Sequence, residues 1–224
     1  MIEKIKDRKI DTILVDFDGT LMDTNDLIIK SWVHAIKEFT GKDADLDEVT
    51  KSFGETIQLT MPRLIPGIDV DTAIESYRNF QFDNYLENIH PFDGSIATLE
   101  TLKEKGYKLA LVTSRLSRST YAALEHFDLG KYFEVVITAD DCTEHKPNPA
   151  PLMMALEDLG KKPQNAMMIG DTKHDIGAAK AAEVVSVLVD YSVALPPGRR
   201  DGINPDYIIE TFSDILVLLG ETQE

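Results

Sequence analysis

Five short apolar runs limit the folds open to this chain of 224 residues. They are rich in Val, Ile, Leu or Met and lack strict polar–apolar alternation, which predicts strands buried on both faces. The runs span residues 12–15, 109–112, 135–138, 166–169 and 184–189. Helix-like segments at 95–105, 117–128 and 151–159 precede the second, third and fourth runs, and a glycine follows each within two residues. This alternation predicts an α/β fold with a parallel sheet and helices on both faces.

The stretch between the first two runs breaks the alternation. Apolar side chains from Ile28 to Phe39 recur at helical spacing, and further helix-like pieces follow up to about residue 86. We therefore predict a helical insert after the first strand. The predicted boundaries are 1–21 and 89–224 for the α/β core and 22–88 for the insert. We interpret Trp32 and Phe39 as packing residues of the insert.

The composition excludes several partners. Lys and Arg number 23 and Asp and Glu number 39, which gives a formal net charge of −16. Such a chain repels nucleic-acid backbones and anionic lipid headgroups, so we expect neither nucleic acid nor membrane as a partner. The single cysteine, Cys142, fits a reducing compartment. Because the N-terminal segment lacks a signal-like apolar region and no apolar run reaches membrane-spanning length, we expect a cytoplasmic protein.

Polar residues gather after four of the apolar runs. In a parallel sheet the carboxyl ends of the strands share one edge, where ligands bind, so these residues are expected to converge there. In chain order they are Asp16 and Asp18, then Thr113, Ser114 and Arg115, then Lys146 with Pro147, and finally Asp171 and Asp175.

The chemistry of these groups is complementary. The four aspartates offer the hard oxygen ligands that Mg²⁺ prefers. Thr113 and Ser114 offer hydroxyl and amide donors for a phosphate, and Lys146 supplies a cation. An aspartate can attack phosphorus, and a neighbouring carboxylic acid can protonate the leaving oxygen. Each group alone is equally an ordinary turn, helix cap or surface charge, but together they favour phosphoryl transfer.

The segments VDFDGTL, VTSR, HKPNPAP and GDTKHD resemble the four motifs of the haloacid dehalogenase superfamily. The insert after the first motif resembles the helical C1 cap of that superfamily, and the likeness covers nearly the whole chain. It implies a Rossmann-like core, a cap domain and Mg²⁺-dependent phosphoryl transfer through an aspartyl-phosphate. One departure is Glu183, where members often have glycine, in a turn remote from the motifs.

The resemblance also implies roles for the acidic residues. Asp16 would be the nucleophile and a metal ligand. Asp18 would be the general acid/base, with its backbone carbonyl on the metal. Asp171 would be a further metal ligand, and Asp175 would hold the waters of the metal or orient Lys146.

The remaining roles concern the phosphate and the cap. Thr113 would hydrogen-bond the transferring phosphoryl group with help from the Ser114 amide, and Lys146 would offset negative charge. A turn between two helices of the insert lies where members of the superfamily place a specificity loop, so we consider it a candidate for substrate selection. Its residues are Phe53, Gly54, Glu55 and Thr56.

Asp18 narrows the function that the resemblance implies. Dehalogenases and phosphonatases of the superfamily lack an acidic residue there, whereas a phosphate ester needs its leaving oxygen protonated. We therefore expect a Mg²⁺-dependent phosphatase of a small phosphorylated metabolite, similar to phosphoglycolate phosphatases, acting as a monomer or a homodimer. The alternatives are a pyrophosphatase of the same family, a phosphotransferase similar to β-phosphoglucomutase and, least favoured, a non-catalytic binding protein.

Overall fold

The computed structural model of the chain divides into two compact units. The residues that it describes are 5, 8–53, 55–195 and 197–221. Gly54, one of the predicted specificity residues, lies outside them. The core unit falls within Met1–Met22 and Pro91–Glu224, and the helical unit within Asp23–His90.

Six strands of the core unit form one parallel sheet. The described strands are β1 (Thr12–Val15), β2 (Met22–Asp23), β3 (His90–Pro91), β4 (Lys108–Val112), β5 (Val135–Ile137), β6 (Ala166–Gly170), β7 (Val185–Val189) and β8 (Tyr207–Ile209). The sheet order is β5–β4–β1–β6–β7–β8, and each neighbouring pair is parallel. The short strands β2 and β3 pair separately. All five predicted runs are strands, with ends within one residue of the prediction.

Helices pack against this sheet and also make up the helical unit. The helical unit contains α1 (Asn25–Thr40), α2 (Leu46–Lys51), α3 (Ile57–Leu64) and α4 (Val70–Asp83). The core unit contains α5 (Ser95–Glu104), α6 (Ser117–His126), α7 (Ala150–Asp158), α8 (Lys173–Ala181) and α9 (Asp214–Leu219). The predicted α/β class is therefore confirmed. Within the described part of the chain, no helix is long and apolar enough to cross a bilayer.

The apolar runs are continuous because the central strands are covered on both faces. Leu14 of β1 and Met168 of β6 are neighbours in the sheet and are fully buried. They share one apolar cluster with Leu152 of α7 and Ala178 of α8. Side chains on both faces of these strands are removed from water, and burial of apolar surface is what stabilises them there. This explains why the strands lack polar alternation.

The turn from α8 to β7 contains a residue in an unfavourable backbone region. Glu183 has a φ of 59°, in the left-handed region that glycine adopts without steric cost. For a residue with a Cβ this conformation costs about 1–2 kcal/mol. Glu183, which stands where members of the superfamily often have glycine, therefore strains this turn locally.

The helical unit has an apolar core of its own. Helices α1 and α4 pack together, with the rings of Trp32 and Tyr77 4.7 Å apart. Trp32 is only 4% exposed, and Phe39 packs partly buried against the same cluster. The prediction that these two aromatic residues are packing residues is confirmed.

A pair of Met→Ala substitutions tests this account of the core. Met168→Ala should lower the free energy of unfolding by about 2–5 kcal/mol, because it leaves a cavity among fully buried side chains. Met153→Ala is the matched control, since Met153 on α7 is 42% exposed and its loss should change stability by no more than about 0.5 kcal/mol. Urea denaturation of both variants measures this, and equal effects would contradict the assigned core.

Candidate active site

The predicted polar residues meet at the carboxyl edge of the sheet. Asp16 directly follows β1, Thr113 follows β4 and Asp171 follows β6, three adjacent strands of the sheet. The amide of Asp16 donates to the Ile169 carbonyl and that of Thr113 to the Ile137 carbonyl, both at 2.9 Å. The sheet ladder thus extends one residue past β1 and β4 and fixes the backbone from which Asp16 and Thr113 project.

Lys146 links two of the aspartates. Its Nζ donates to Asp16 Oδ1 and Asp175 Oδ1, each at 2.6 Å, and to the Val112 carbonyl at 3.0 Å. The Lys146 side chain is 4% exposed. Burial by itself would lower the pKa of Lys146, but the charges of Asp16 and Asp175 raise it above its ordinary value. The ammonium group therefore stays charged inside the protein.

Asp175 is held by the first turn of α8. Its Oδ2 accepts from the Thr172 amide at 3.0 Å and the Thr172 hydroxyl at 2.6 Å, in a capping box. A Cβ at Gly170 would lie only 2.3 Å from the Cβ of Asp175, so glycine is needed for this approach. With Lys146 on Oδ1, both oxygens of Asp175 have partners. Asp175 thus contacts Lys146, as one of its two predicted roles requires, and both roles stay predictions.

Three buried carboxylates crowd together at this edge. Asp16, Asp171 and Asp175 each offer an oxygen within 4.8 Å of the others. Burial raises the pKa of Asp16, with Lys146 opposing the shift and the charge of Asp175 adding to it. Burial also raises the pKa of Asp171 well above its usual range, and the charges of Asp16 and Asp175 add to the effect. Ionising the whole group is therefore unfavourable unless a further cation is present.

The hydrogen bonds of Asp171 indicate where such a cation fits. Its Oδ2 accepts from the Ser192 hydroxyl at 2.5 Å, whereas its Oδ1 is buried and has no hydrogen-bond partner among the described residues. A buried carboxylate oxygen without a partner is costly. Because Asp16 lies beside it and carboxylates suit hard divalent ions, Asp16 and Asp171 are the side chains that could hold such an ion.

Asp18 lies outside this carboxylate group and contacts an arginine. Arg115 Nε donates to Asp18 Oδ2 at 2.9 Å and Oδ1 at 3.2 Å, and Arg115 Nη2 donates to Oδ1 at 2.8 Å. The Asp18 side chain is 26% exposed and that of Arg115 only 6%. The partly exposed acid thus has both of its oxygens bound by a buried guanidinium.

Gly19 allows the first motif to turn beside Asp171. Its φ is +74°, and an added Cβ would lie 2.1 Å from Asp171 Oδ2 and 2.9 Å from Ser192 Oγ. Any other residue would be strained and would also displace the Asp171 carboxylate.

Thr113 and Ser114 differ in their surroundings. Thr113 is 5% exposed, and its hydroxyl accepts from the Arg115 amide at 3.1 Å. Ser114 is exposed. Helix α6 begins only at Ser117, after the N-cap residue Leu116, so Thr113 does not cap it. The alternative interpretation of this segment as a helix cap is therefore wrong, and the phosphate role of both residues stays a prediction.

The predicted specificity turn belongs to the helical unit. Phe53 packs, partly buried, against the apolar cluster of that unit. Glu55 pairs with Arg63 at 2.8 Å, and Thr56 is the residue that precedes α3. These contacts are structural, and a role in substrate selection stays a prediction.

Two residues of the site were not assigned from the sequence. Arg115 stands in the polar cluster after β4, where a cation beside Thr113 was the available signal. Ser192 follows the end of β7, and extending the strand-end argument to this fifth run would have drawn attention to its loop. The sequence alone does not indicate which acid either residue contacts, because their partners Asp18 and Asp171 are distant along the chain.

Comparisons with known proteins agree with this geometry. The chain matches the family described as haloacid dehalogenase-like hydrolase over residues 13–189. Pyrophosphatase PpaX from Bacillus cereus strain AH820 is 34% identical over 215 residues, which cover 95% of this chain and 98% of that protein.

Two solved structures have the same fold. One, from Bacteroides fragilis and assigned by inference as a haloacid dehalogenase-like hydrolase, has a TM-score of 0.84 at 24% identity, covering 92% of this chain and 100% of that one. The other, from Lactobacillus plantarum and assigned by inference as a phosphoglycolate phosphatase, has a TM-score of 0.82 at 26% identity, covering 94% and 99%. The resemblance seen in the four sequence segments is confirmed, and the chain belongs to the haloacid dehalogenase-like hydrolase family.

Proposed function

We propose that this protein is a Mg²⁺-dependent phosphatase that hydrolyses a small phosphorylated metabolite through an aspartyl-phosphate on Asp16. Its family and relatives make it a hydrolase of phosphate esters, and the family generally uses a divalent metal. The observation that carries the proposal is the buried group of Asp16, Asp171 and Asp175 with Lys146 as its cation. Such a group is stabilised by a further cation, and it keeps one carboxylate available for attack.

The first step forms a bond between an Asp16 oxygen and phosphorus. The bond from phosphorus to the leaving oxygen breaks, its electron pair stays on that oxygen, and the oxygen takes a proton from Asp18. In the second step Asp18, now a carboxylate, removes a proton from a water that attacks the phosphorus. The bond from phosphorus to the Asp16 oxygen breaks, its electron pair returns to the Asp16 carboxylate, and inorganic phosphate is released.

The charges around Asp16 support its role as nucleophile. Lys146 Nζ lies 2.6 Å from one Asp16 oxygen and would offset negative charge on the phosphoryl group. Asp175 and the Val112 carbonyl hold that ammonium in place. A Mg²⁺ ion held by Asp16 and Asp171 would supply the remaining positive charge. Thr113 and the Ser114 amide are proposed to bind the phosphoryl oxygens.

Substrate selection is proposed to come from the helical unit. We propose that Asp23–His90 acts as the cap predicted for residues 22–88, with Phe53, Glu55 and Thr56 as candidate specificity residues. The sequence also suggests Gly54 for this role.

A pyrophosphatase activity is the second candidate. It is favoured by the relative named pyrophosphatase PpaX, which matches 95% of this chain. The same residues would act in both cases, because pyrophosphate also presents a phosphoryl group and a leaving oxygen. Retention of the phosphoryl group by a sugar would instead identify a phosphotransferase.

The location, oligomeric state and partners of the protein stay predictions from the sequence. We propose a cytoplasmic location, supported by the single cysteine, and a monomer or homodimer that binds neither nucleic acid nor membrane. The formal charge of −16 supports the last two exclusions.

Replacement of the proposed nucleophile tests the activity. Asp16→Asn should reduce turnover to background on every substrate that the wild type accepts, because an amide does not form the aspartyl-phosphate. Release of inorganic phosphate is measured with Mg²⁺ on phosphoglycolate, pyrophosphate, sugar phosphates and nucleotides, with circular dichroism to verify folding. Full activity in a folded Asp16→Asn protein would refute the mechanism, and an inactive wild type across the panel would favour a non-catalytic protein.

A pair of glycine substitutions tests the metal site without relying on turnover. Gly19→Ala should weaken Mg²⁺ binding by roughly 10- to 100-fold, because the new Cβ displaces Asp171 and Ser192. Gly106→Ala is the matched control: its φ of +86° imposes a similar strain, but no atom lies within 4 Å of the added Cβ. Isothermal titration calorimetry with Mg²⁺ measures both. Unchanged binding in folded Gly19→Ala, or equal weakening in the two variants, would count against Asp171 as a ligand.

A further inference from the structure

Arg115 is a buried cation that the catalytic scheme above does not use. Its side chain is 6% exposed, and its guanidinium carbon lies 6.0 Å from the centroid of the Phe17 ring. Three hydrogen bonds of 2.8–3.2 Å join Nε and Nη2 to the two oxygens of Asp18. Burying a guanidinium costs free energy unless an opposite charge contacts it. Asp18 makes that contact.

The backbone of Arg115 is fixed as firmly as its side chain. Its amide donates to the Thr113 hydroxyl at 3.1 Å, and its carbonyl accepts from the Ala139 amide at 2.9 Å. The segment after β4 thus anchors the arginine at both ends. Because Asp18 is the more exposed partner, the arginine is the fixed member of the pair and sets the position of the acid.

We propose that Arg115 is a positioning residue for the general acid Asp18, and that it stabilises the negative charge that Asp18 gains when it protonates the leaving oxygen. The inference rests on the proposed function. The guanidinium contacts both Asp18 oxygens from one side, which fixes the orientation of the carboxyl group.

This role has a consequence that a purely structural ion pair lacks. Asp16 forms its bond to phosphorus as the bond to the leaving oxygen breaks, and the proton from Asp18 is needed most when the leaving alcohol is weakly acidic. A leaving group such as p-nitrophenolate departs with little help from a proton. Loss of Arg115 should therefore slow hydrolysis of an alkyl phosphate much more than hydrolysis of p-nitrophenyl phosphate.

The test compares kcat/KM, which reports the steps up to the first phosphoryl transfer, for Arg115→Gln and Arg115→Lys with Mg²⁺. Arg115→Gln should lower kcat/KM by roughly 10- to 100-fold on glycerol phosphate and by less than about threefold on p-nitrophenyl phosphate. Arg115→Lys keeps the charge but loses the two-point contact, so its loss should be intermediate. Arg118→Gln, at an exposed position in α6, is the matched control and should leave both substrates unaffected.

A double-mutant cycle and a stability measurement complete the experiment. In an Asp18→Asn background, Arg115→Gln should add less than about a twofold further loss, since the acid that it positions is gone. Equal losses on the two substrates, or losses that multiply in the double variant, would overturn the positioning role. If thermal unfolding shows that Arg115→Gln does not fold, Arg115→Lys decides by the same substrate comparison.

Failure of this inference is distinguishable from failure of the proposed function. Loss of wild-type turnover in Asp16→Asn supports the phosphatase mechanism whatever the Arg115 variants do. A wild type that hydrolyses neither these two substrates nor any substrate of the panel would overturn both proposals.

Discussion

The structure depends on the burial of three carboxylates beside a single ammonium group at the carboxyl edge of a parallel sheet. Asp16, Asp171 and Asp175 together carry more negative charge than Lys146 offsets, and burial makes each uncompensated charge expensive. The raised pKa values of Asp16 and Asp171 and the buried Asp171 oxygen without a partner both follow from this imbalance. Full ionisation of this group is unfavourable without a further cation, and a cation at this position would also suit phosphate chemistry.

The rest of the core unit keeps this arrangement in place. Sheet hydrogen bonds fix the backbone just after β1 and β4, and the capping box of α8 holds Asp175 against Lys146. Gly19 and Gly170 leave the space into which the Asp171 and Asp175 side chains fit. Backbone hydrogen bonds of the segment after β4 hold Arg115 in position against Asp18. Local backbone chemistry thus does most of the positioning, and long-range packing mainly brings the strand ends together.

Much of this arrangement could be predicted from the sequence, because it follows from topology. Parallel strands with helical crossovers bring their carboxyl ends to one edge, so the convergence of Asp16, Lys146 and Asp171 needed only the order of runs and segments. The strand positions followed from continuous apolar runs. The approach of Asp175 to Lys146 was one of two options, and the capping box that favours it is a matter of local geometry.

Other contacts could not be predicted, because they depend on side-chain placement between distant loops. The pairing of Arg115 with Asp18 joins residues 97 positions apart, and that of Ser192 with Asp171 depends on an irregular loop. Composition and periodicity carry no information on which acid each residue meets.

Chemical trapping of the intermediate tests the central claim most directly. Rapid quenching during turnover with Mg²⁺, followed by borohydride reduction and peptide mass spectrometry, converts a phosphorylated aspartate to homoserine. The account predicts homoserine at Asp16, with none in a control without substrate. Modification at a different carboxylate, or none during active turnover, would contradict it.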